Sequence, residues 1–333
     1  MGARLRRVKP DALEWRWQRH GRGRRLLDST GRPVRDPETL ERVRGLGVPP
    51  AWTDVRVAPD PLGHIQALGT DAAGRRQYIY HRDWEARRLR RKQGQLRLMV
   101  DALPKLRRRL RADLEAEAGS KRLALAIAVS LIDGTAMRIG RERYLETSGT
   151  RGAGTLFVRD VAITGDDVCL SFPAKSGKAA RYCLRDGRLA RAIEAVRQVP
   201  GKRLLMYRNA DGKARNLRTD EINRYLREVT GLAISAKDLR TFHASARAGE
   251  ALAALERAES QAARKRQVAA VVRQVATFLQ NTPAVCRTSY VAPCLFALFE
   301  KGRLGELWAG VDEDGRGLRR REARLCAVLA AVP

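Results

Sequence analysis

Hydrophobic periodicity changes once along this chain, near His81, and that change limits the folds open to it. Upstream, "WTDVRVAPDPLGHIQALGTDAAGRRQYIYH" (residues 52–81) holds short alternating runs, "DVRVA" and "RQYIYH", separated by the turn signals "DPLG" and "DAAG". Alternation at period two sends successive side chains to opposite faces of a sheet, so these runs read as small antiparallel strands. Downstream, "WEARRLRRKQGQLRLMVDALPKLRRRLRADLEAE" (84–117) is helical with dense positive charge, and residues 121–148 read as a buried helix punctuated by Gly134 and Gly140. Residues 155–184 read as three short strands with turns at "TGDD" and "KSGK". Helices are expected over about 188–199, 219–230, 237–255, 259–280, 283–291 and 318–331. Thr219 reads as the N-cap of the second of these and Gly231 as its stop. The expected class is α+β: a small β-rich N-terminal domain, residues 1–81, and a larger, mainly helical domain, residues 82–333, with a small antiparallel sheet.

Charge narrows the partner. Lys and Arg number 66 against 37 Asp and Glu, a formal net charge of +29. Such an excess is self-repulsive unless a polyanion neutralises it, and nucleic acid is the leading candidate. The N-terminus has no apolar signal segment, and "LALAIAVSLI" (123–132) is too short to span a bilayer. Five cysteines without a C-x-x-C pair read as reduced thiols of a cytoplasmic protein. Four histidines, none spaced H-x-x-x-H, give no metal motif. No metal and no cofactor are expected.

Cutting a DNA strand without metal or ATP needs three things: a nucleophile for phosphorus, cations for the charge on its equatorial oxygens, and an acid for the leaving 5′ oxygen. Four stretches supply these residue types. "GTAMRIGRERY" (134–144) places Arg138 at the end of a buried helix, and "FPAKSGKAARY" (172–182) puts Lys175 in a hairpin. "AKDLRTFHASA" (236–246) opens a helix with Lys237 and Arg240 on one face. "QNTPAVCRTSY" (280–290) places an amide, Asn281, and a phenol, Tyr290, at the two ends of a short helix, with Thr282 as N-cap and Pro283 at the first helical position. Arginine suits phosphate because its planar fork is bidentate and always charged; lysine suits the acid because its pKa falls when desolvated among cations.

In this order the four stretches resemble the type IB DNA topoisomerases, in particular their compact bacterial and poxvirus-like branch. "DAAGRRQYIYH" is similar to the family's N-terminal DNA-contacting strand, "RIGRERY" to its first arginine motif, "KDLRTF" to its second, and "NTPAVCRTSY" to its tyrosine motif. The resemblance runs from about Trp52 to Pro293. It implies that Arg138, Lys175, Arg240 and Tyr290 are catalytic and that Asn281 contacts the scissile phosphate. Lys237 and Tyr144 match positions near the site, and Gln77, Tyr78 and Tyr80 match positions on the strand that meets DNA. It further implies relaxation of double-stranded DNA through a 3′-phosphotyrosyl intermediate, by a monomer in the cytoplasm at the nucleoid. One departure stands out: poxvirus members usually carry histidine at Asn281. An amide donates a hydrogen bond but does not exchange protons, so this position acts as a donor.

Each residue also has an ordinary reading. Arg138 and Arg240 could be surface cations, Lys175 a solvated hairpin lysine, and Gln77, Tyr78 and Tyr80 plain strand residues. His243, His64 and Cys286 read as structural. Two other functions fit the same features: a tyrosine recombinase, whose second motif usually begins with His where this chain has Lys237, and a non-enzymatic DNA-binding protein.

Overall fold

The computed structural model describes residues 4–21, 23–174, 177, 179–310 and 318–332. The chain forms two compact units, Met1–Lys92 and Gln93–Pro333, and the fold is α+β.

The first unit is built on a five-stranded antiparallel sheet of β1 (Trp15–His20), β2 (Gly23–Leu27), β3 (Thr53–Val57), β4 (Ile65–Thr70) and β5 (Arg76–Tyr80), with one helix, α1 (Pro37–Gly45), between β2 and β3. The strand order is β2-β1-β3-β4-β5, which leaves β5 as an open edge. The strands expected in "DVRVA" and "RQYIYH" are β3 and β5. β4, between them, lacks alternation for a physical reason: its first five residues are buried, since core lies on both of its faces. Leu26, Val43, Val55, Val57 and Ala67 form one apolar cluster, and Leu13, Ala58, Ile65 and Leu68 a second. β1 and β2 lie upstream of the alternating stretch. Their signal is the spacing of Trp15 and Trp17 around Arg16, diluted by the arginines that follow.

The division between units falls within α2 (Arg82–Asp113). In the second unit, α2 buries Leu96, Met99, Leu103, Leu106 and Leu110, a face that belongs to the same core cluster as α3 (Lys121–Thr135). α3 is apolar all round and lies at the centre of the core, started by Ser120, whose hydroxyl accepts from the Leu123 amide at 3.2 Å. The expected 121–148 helix is in fact two. α3 stops at Ala136, in the left-handed conformation with φ 53°, and α4 (Glu142–Ser148) starts after an extended stretch. Gly140, with φ 79°, tolerates no side chain there, because a Cβ would lie 2.4 Å from the Thr155 hydroxyl.

A three-stranded antiparallel sheet follows, β6 (Val161–Thr164), β7 (Asp167–Pro173) and β8 (Ala179–Arg185), then α5 (Gly187–Val196) and the small pair β9 (Met206–Arg208) and β10 (Ala214–Asn216). Cys169 and Cys183 face each other across β7 and β8 with Cα atoms 4.2 Å apart and are joined as a disulfide. This corrects the expectation of reduced thiols throughout: the cross-strand register brings together two cysteines fourteen residues apart in sequence. The remaining helices are α6 (Thr219–Thr230), α7 (Ala236–Ala253), α8 (Gln261–Leu279), α9 (Pro283–Val285), α10 (Pro293–Glu300), α11 (Leu304–Ala309) and α12 (Arg320–Ala330). Thr219 is the first residue of α6 and not its cap; its hydroxyl donates instead to the Gly140 carbonyl at 2.7 Å. Gly231 ends α6 with φ 72°, as expected. α10 escaped the periodic reading because its eight residues have almost no polar face. Among the described residues no helix is long and apolar enough to cross a membrane.

Candidate active site

Four separate segments meet in the second unit, and each is positioned by a local device. Arg138 lies on the extended stretch after α3, three residues beyond the helix end and not on it. That stretch is held from outside: the carbonyls of Arg138, Ile139 and Gly140 accept from the Ala153 amide (2.9 Å), the Gly154 amide (2.7 Å) and the Thr219 hydroxyl. Arg240 is on α7, 3% exposed. Asn281 follows Gln280, which closes α8 in the left-handed conformation with φ 51°. Tyr290 ends a π-helical turn, Cys286–Tyr290, that continues α9. Thr282 caps α9 through its hydroxyl and Pro283 begins it, as the sequence indicates. Single π-turns inside helices recur at functional sites because they re-aim a side chain.

Side chains converge on this junction. Arg138 donates to the Gln280 carbonyl at 3.0 Å and to Asn281 Oδ1. Arg240 donates to the Ala136 carbonyl and, at 3.2 Å, to that of Leu279. Both arginines therefore rest on backbone at the ends of α3 and α8. Arg240 lies 5.4 Å from the centre of the Tyr290 ring and Lys237, one turn earlier on α7, 5.9 Å from it. Burial lowers the Arg240 pKa from its ordinary value, with Tyr290 pulling the other way. Two buried donors here, Arg240 Nε and Asn281 Nδ2, have no hydrogen-bond partner among the described residues. A buried donor left unpaired costs roughly 1–3 kcal/mol, so either would gain from an acceptor brought within its reach.

The Tyr290 backbone is pinned as well. Ser245, fully buried on α7, donates to the Tyr290 carbonyl at 3.2 Å and accepts from the Ala292 amide at 3.0 Å. Tyr182 on β8 also faces the arginines; burial raises its pKa, and Arg240 and Arg138 oppose that rise. Neither Ser245 nor Tyr182 stood out in the sequence, because a serine and a strand tyrosine carry no signal until the fold places them.

Beneath Arg240 lies a buried ionic cluster. Arg107 is bidentate to Asp133 (2.9 and 3.1 Å) and to Glu322 (2.8 and 2.9 Å), and His243 bridges the same two carboxylates, at 2.9 and 3.4 Å. His243, read from sequence as structural, joins α7 to α3 and α12 there.

Tyr144, on α4, is 54% exposed. Lys175 lies outside the described residues. In the first unit, Tyr78 and Tyr80 share one face of β5, their rings stacked with centroids 6.1 Å apart, while Gln77 points to the other face and donates to Asp71 at 2.8 Å. His64 is structural, accepting from the Val8 amide at 3.1 Å against Trp84.

Comparison with known proteins supplies the family. Residues 82–292 match the model of the eukaryotic DNA topoisomerase I catalytic core, and residues 25–71 that of the bacterial DNA topoisomerase IB N-terminal domain. The chain is 30% identical over 268 residues to the DNA topoisomerase 1B of Acanthamoeba polyphaga mimivirus, covering 78% of this chain and 80% of that one. Among solved structures, XerH site-specific recombinase bound to difH substrate, in its post-cleavage complex, matches with a TM-score of 0.36 at 18% identity, over 61% of this chain and 50% of that one. The XerH pre-cleavage complex gives the same score and identity, over 62% and 52%. At that score the recombinase likeness carries no argument. With its catalytic core matched from Arg82 to Ala292 and a topoisomerase relative aligned over four-fifths of that relative's length, the chain belongs to the type IB DNA topoisomerases.

Proposed function

We propose that Tyr290 is the nucleophile of a metal- and ATP-independent transesterification on duplex DNA. The phenol loses its proton and its oxygen bonds to phosphorus as the bond from phosphorus to the 5′ oxygen breaks. This leaves a 3′-phosphotyrosyl enzyme and a 5′ hydroxyl. Arg138 and Arg240 stabilise the charge on the phosphorus oxygens, Asn281 adds a neutral donor, and Lys175 or Lys237 protonates the leaving oxygen. Supercoils are lost by rotation about the intact strand, and the 5′ hydroxyl then attacks phosphorus and releases Tyr290. The observation that carries this reading is the pairing of a half-buried phenol with two buried donors that lack partners among the described residues, Arg240 Nε and Asn281 Nδ2. A phosphate offers the acceptor oxygens such donors need.

The N-terminal unit, in this reading, grips the duplex, with Tyr78, Tyr80 and Gln77 on its open edge strand contacting one face and Tyr144 meeting the DNA from the catalytic unit. One chain supplies every residue of the proposed site, which fits a monomer acting in the cytoplasm at the nucleoid. Relaxation of supercoiled plasmid in EDTA without ATP is the direct assay. A ladder of topoisomers is expected from the wild type, and none from Tyr290→Phe, whose DNA binding should stay close to normal. A Phe variant that relaxes plasmid at the wild-type rate refutes the assignment.

A further inference from the structure

The sheet of the N-terminal unit opens at one end. β1 and β3 pair only at Trp15–Val57 and Arg16–Arg56; beyond these, β1 runs on to His20 beside β2 and β3 back to Thr53 beside β4, without pairing to each other. Beside the separation, the β3–β4 ladder has a register break between Thr53 and Arg56, where Asp54 has φ 49°. A non-glycine residue adopts that left-handed conformation at a cost, and β-bulges of this kind re-aim strands beside functional sites.

A cleft of about 950 Å³ occupies the fork. Arg16, Arg19, Arg44 and Arg56 line it, all exposed and none paired with a carboxylate among the described residues, and Asp54 is its only acidic lining residue. Trp17 and Trp52 add two half-buried indoles. Trp52 is seated over Gly69 of β4, where a Cβ would lie 2.9 Å from the ring. Arg24 ties the wall together, donating to the carbonyls of Pro50 (2.9 Å), Trp52 (3.1 Å) and Pro49 (3.4 Å), while its buried Nη1 has no partner among the described residues.

We infer that this fork binds a short single-stranded segment of nucleic acid. Unpaired guanidinium groups match phosphate oxygens, and an unstacked base offers a flat face to an indole; together these are the components of a single-strand groove. A duplex keeps its bases paired and stacked, so it would satisfy the arginines and leave the indoles without a base face. An acidic peptide would do the same. The fork is separated from β5 by β4, so it is distinct from the strand proposed to meet the duplex.

The test uses the full chain and the oligonucleotide dT10, followed by quenching of tryptophan fluorescence. Binding of dT10 is expected to persist with the enzyme saturated by a short hairpin duplex. Arg16→Glu/Arg56→Glu should weaken it on the order of tenfold and flatten its salt dependence, by about 0.7 in log–log slope for each lost phosphate contact. Plasmid relaxation by that variant should stay within about twofold, because the fork takes no part in strand cleavage in this reading. Arg44→Glu, on α1 and off the sheet, is the second variant should the double change disturb folding, which circular dichroism reports. Stoichiometric displacement of dT10 by the duplex, wild-type dT10 binding by the folded variants, or equal competition by polyglutamate would each overturn the inference. If the wild type binds dT10 in this way but relaxes no plasmid, the activity reading fails and the single-strand site stands.

Discussion

Arg240 donates a hydrogen bond to the carbonyl of Ala136, the left-handed residue that closes α3 two positions before Arg138. The contact makes the end of one helix the support for a side chain on another. Arg138 is treated in the same way at the end of α8, where it donates to Gln280, the second left-handed cap. Two left-handed turns thus hold the two arginines, one of them beside the Tyr290 ring.

The cap itself is therefore open to mutation. Ala136→Gly keeps the carbonyl and relieves the positive φ, so stability should stay within about 1 kcal/mol of wild type. Ala136→Val puts a β-branched side chain at a buried left-handed position and should cost about 1–3 kcal/mol. Strand cleavage should slow with it as Arg240 loses its support. Thermal unfolding and single-turnover cleavage report the two effects; a Val variant with wild-type values for both would show that the cap does not place Arg240.

The two arginines should differ when removed. Loss of either should slow formation of the covalent complex by about 10²–10³, the usual effect of deleting a transition-state donor. Arg240→Ala should also lower stability, because it leaves the buried Ala136 and Leu279 carbonyls unpaired, at roughly 1–3 kcal/mol each. Arg138→Ala should unfold closer to the wild-type temperature. Large losses of DNA affinity with an unchanged cleavage rate would make both residues anchors for DNA and not stabilisers of the reaction.

Substrate chemistry separates the lysines. A duplex with sulfur in place of the bridging 5′ oxygen needs no proton donor, since a thiolate leaves unaided. Cleavage of that substrate should be rescued in whichever of Lys175→Ala and Lys237→Ala removes the acid, and not in Arg138→Ala. Rescue of neither lysine variant would place the donor elsewhere.

The ionic cluster below Arg240 sets a pH window. Burial raises the Glu322 carboxyl, but the hydrogen bonds from His243 and Arg107 outweigh it and bring it from 4.5 to about 2. A depressed carboxylate contributes stability that is complete above 4.5 and lost as pH falls toward about 2. For His243, burial lowers the pKa, yet hydrogen bonds to Asp133 and Glu322 raise it above 6.5. Its contribution is complete below 6.5 and is lost as pH rises through the folded value. Stability should therefore be greatest between these limits. Glu322→Gln should flatten the acid side of the profile and His243→Gln the alkaline side, as measured by denaturant unfolding against pH.

Local rules determined much of this protein from its sequence. Period-two and helical patterns placed β3, β5, α2 and most later helices, Gly231 and Thr282 marked their ends, and motif order pointed to Arg138, Arg240, Asn281 and Tyr290. These features depend on neighbours within a few residues, so they can be read along the chain. β4 could not, because burial on both faces erases alternation, and neither could the break after α3, where a left-handed alanine stands at a position that glycine more often fills. Only the tertiary structure set the register that joins Cys169 to Cys183, the placement of Ser245 under the Tyr290 backbone and the meeting of Arg107, Asp133, His243 and Glu322. It also produced the fork between β1 and β3. Each of these joins residues far apart in sequence, and such contacts exist only once packing of the apolar core has brought their elements together.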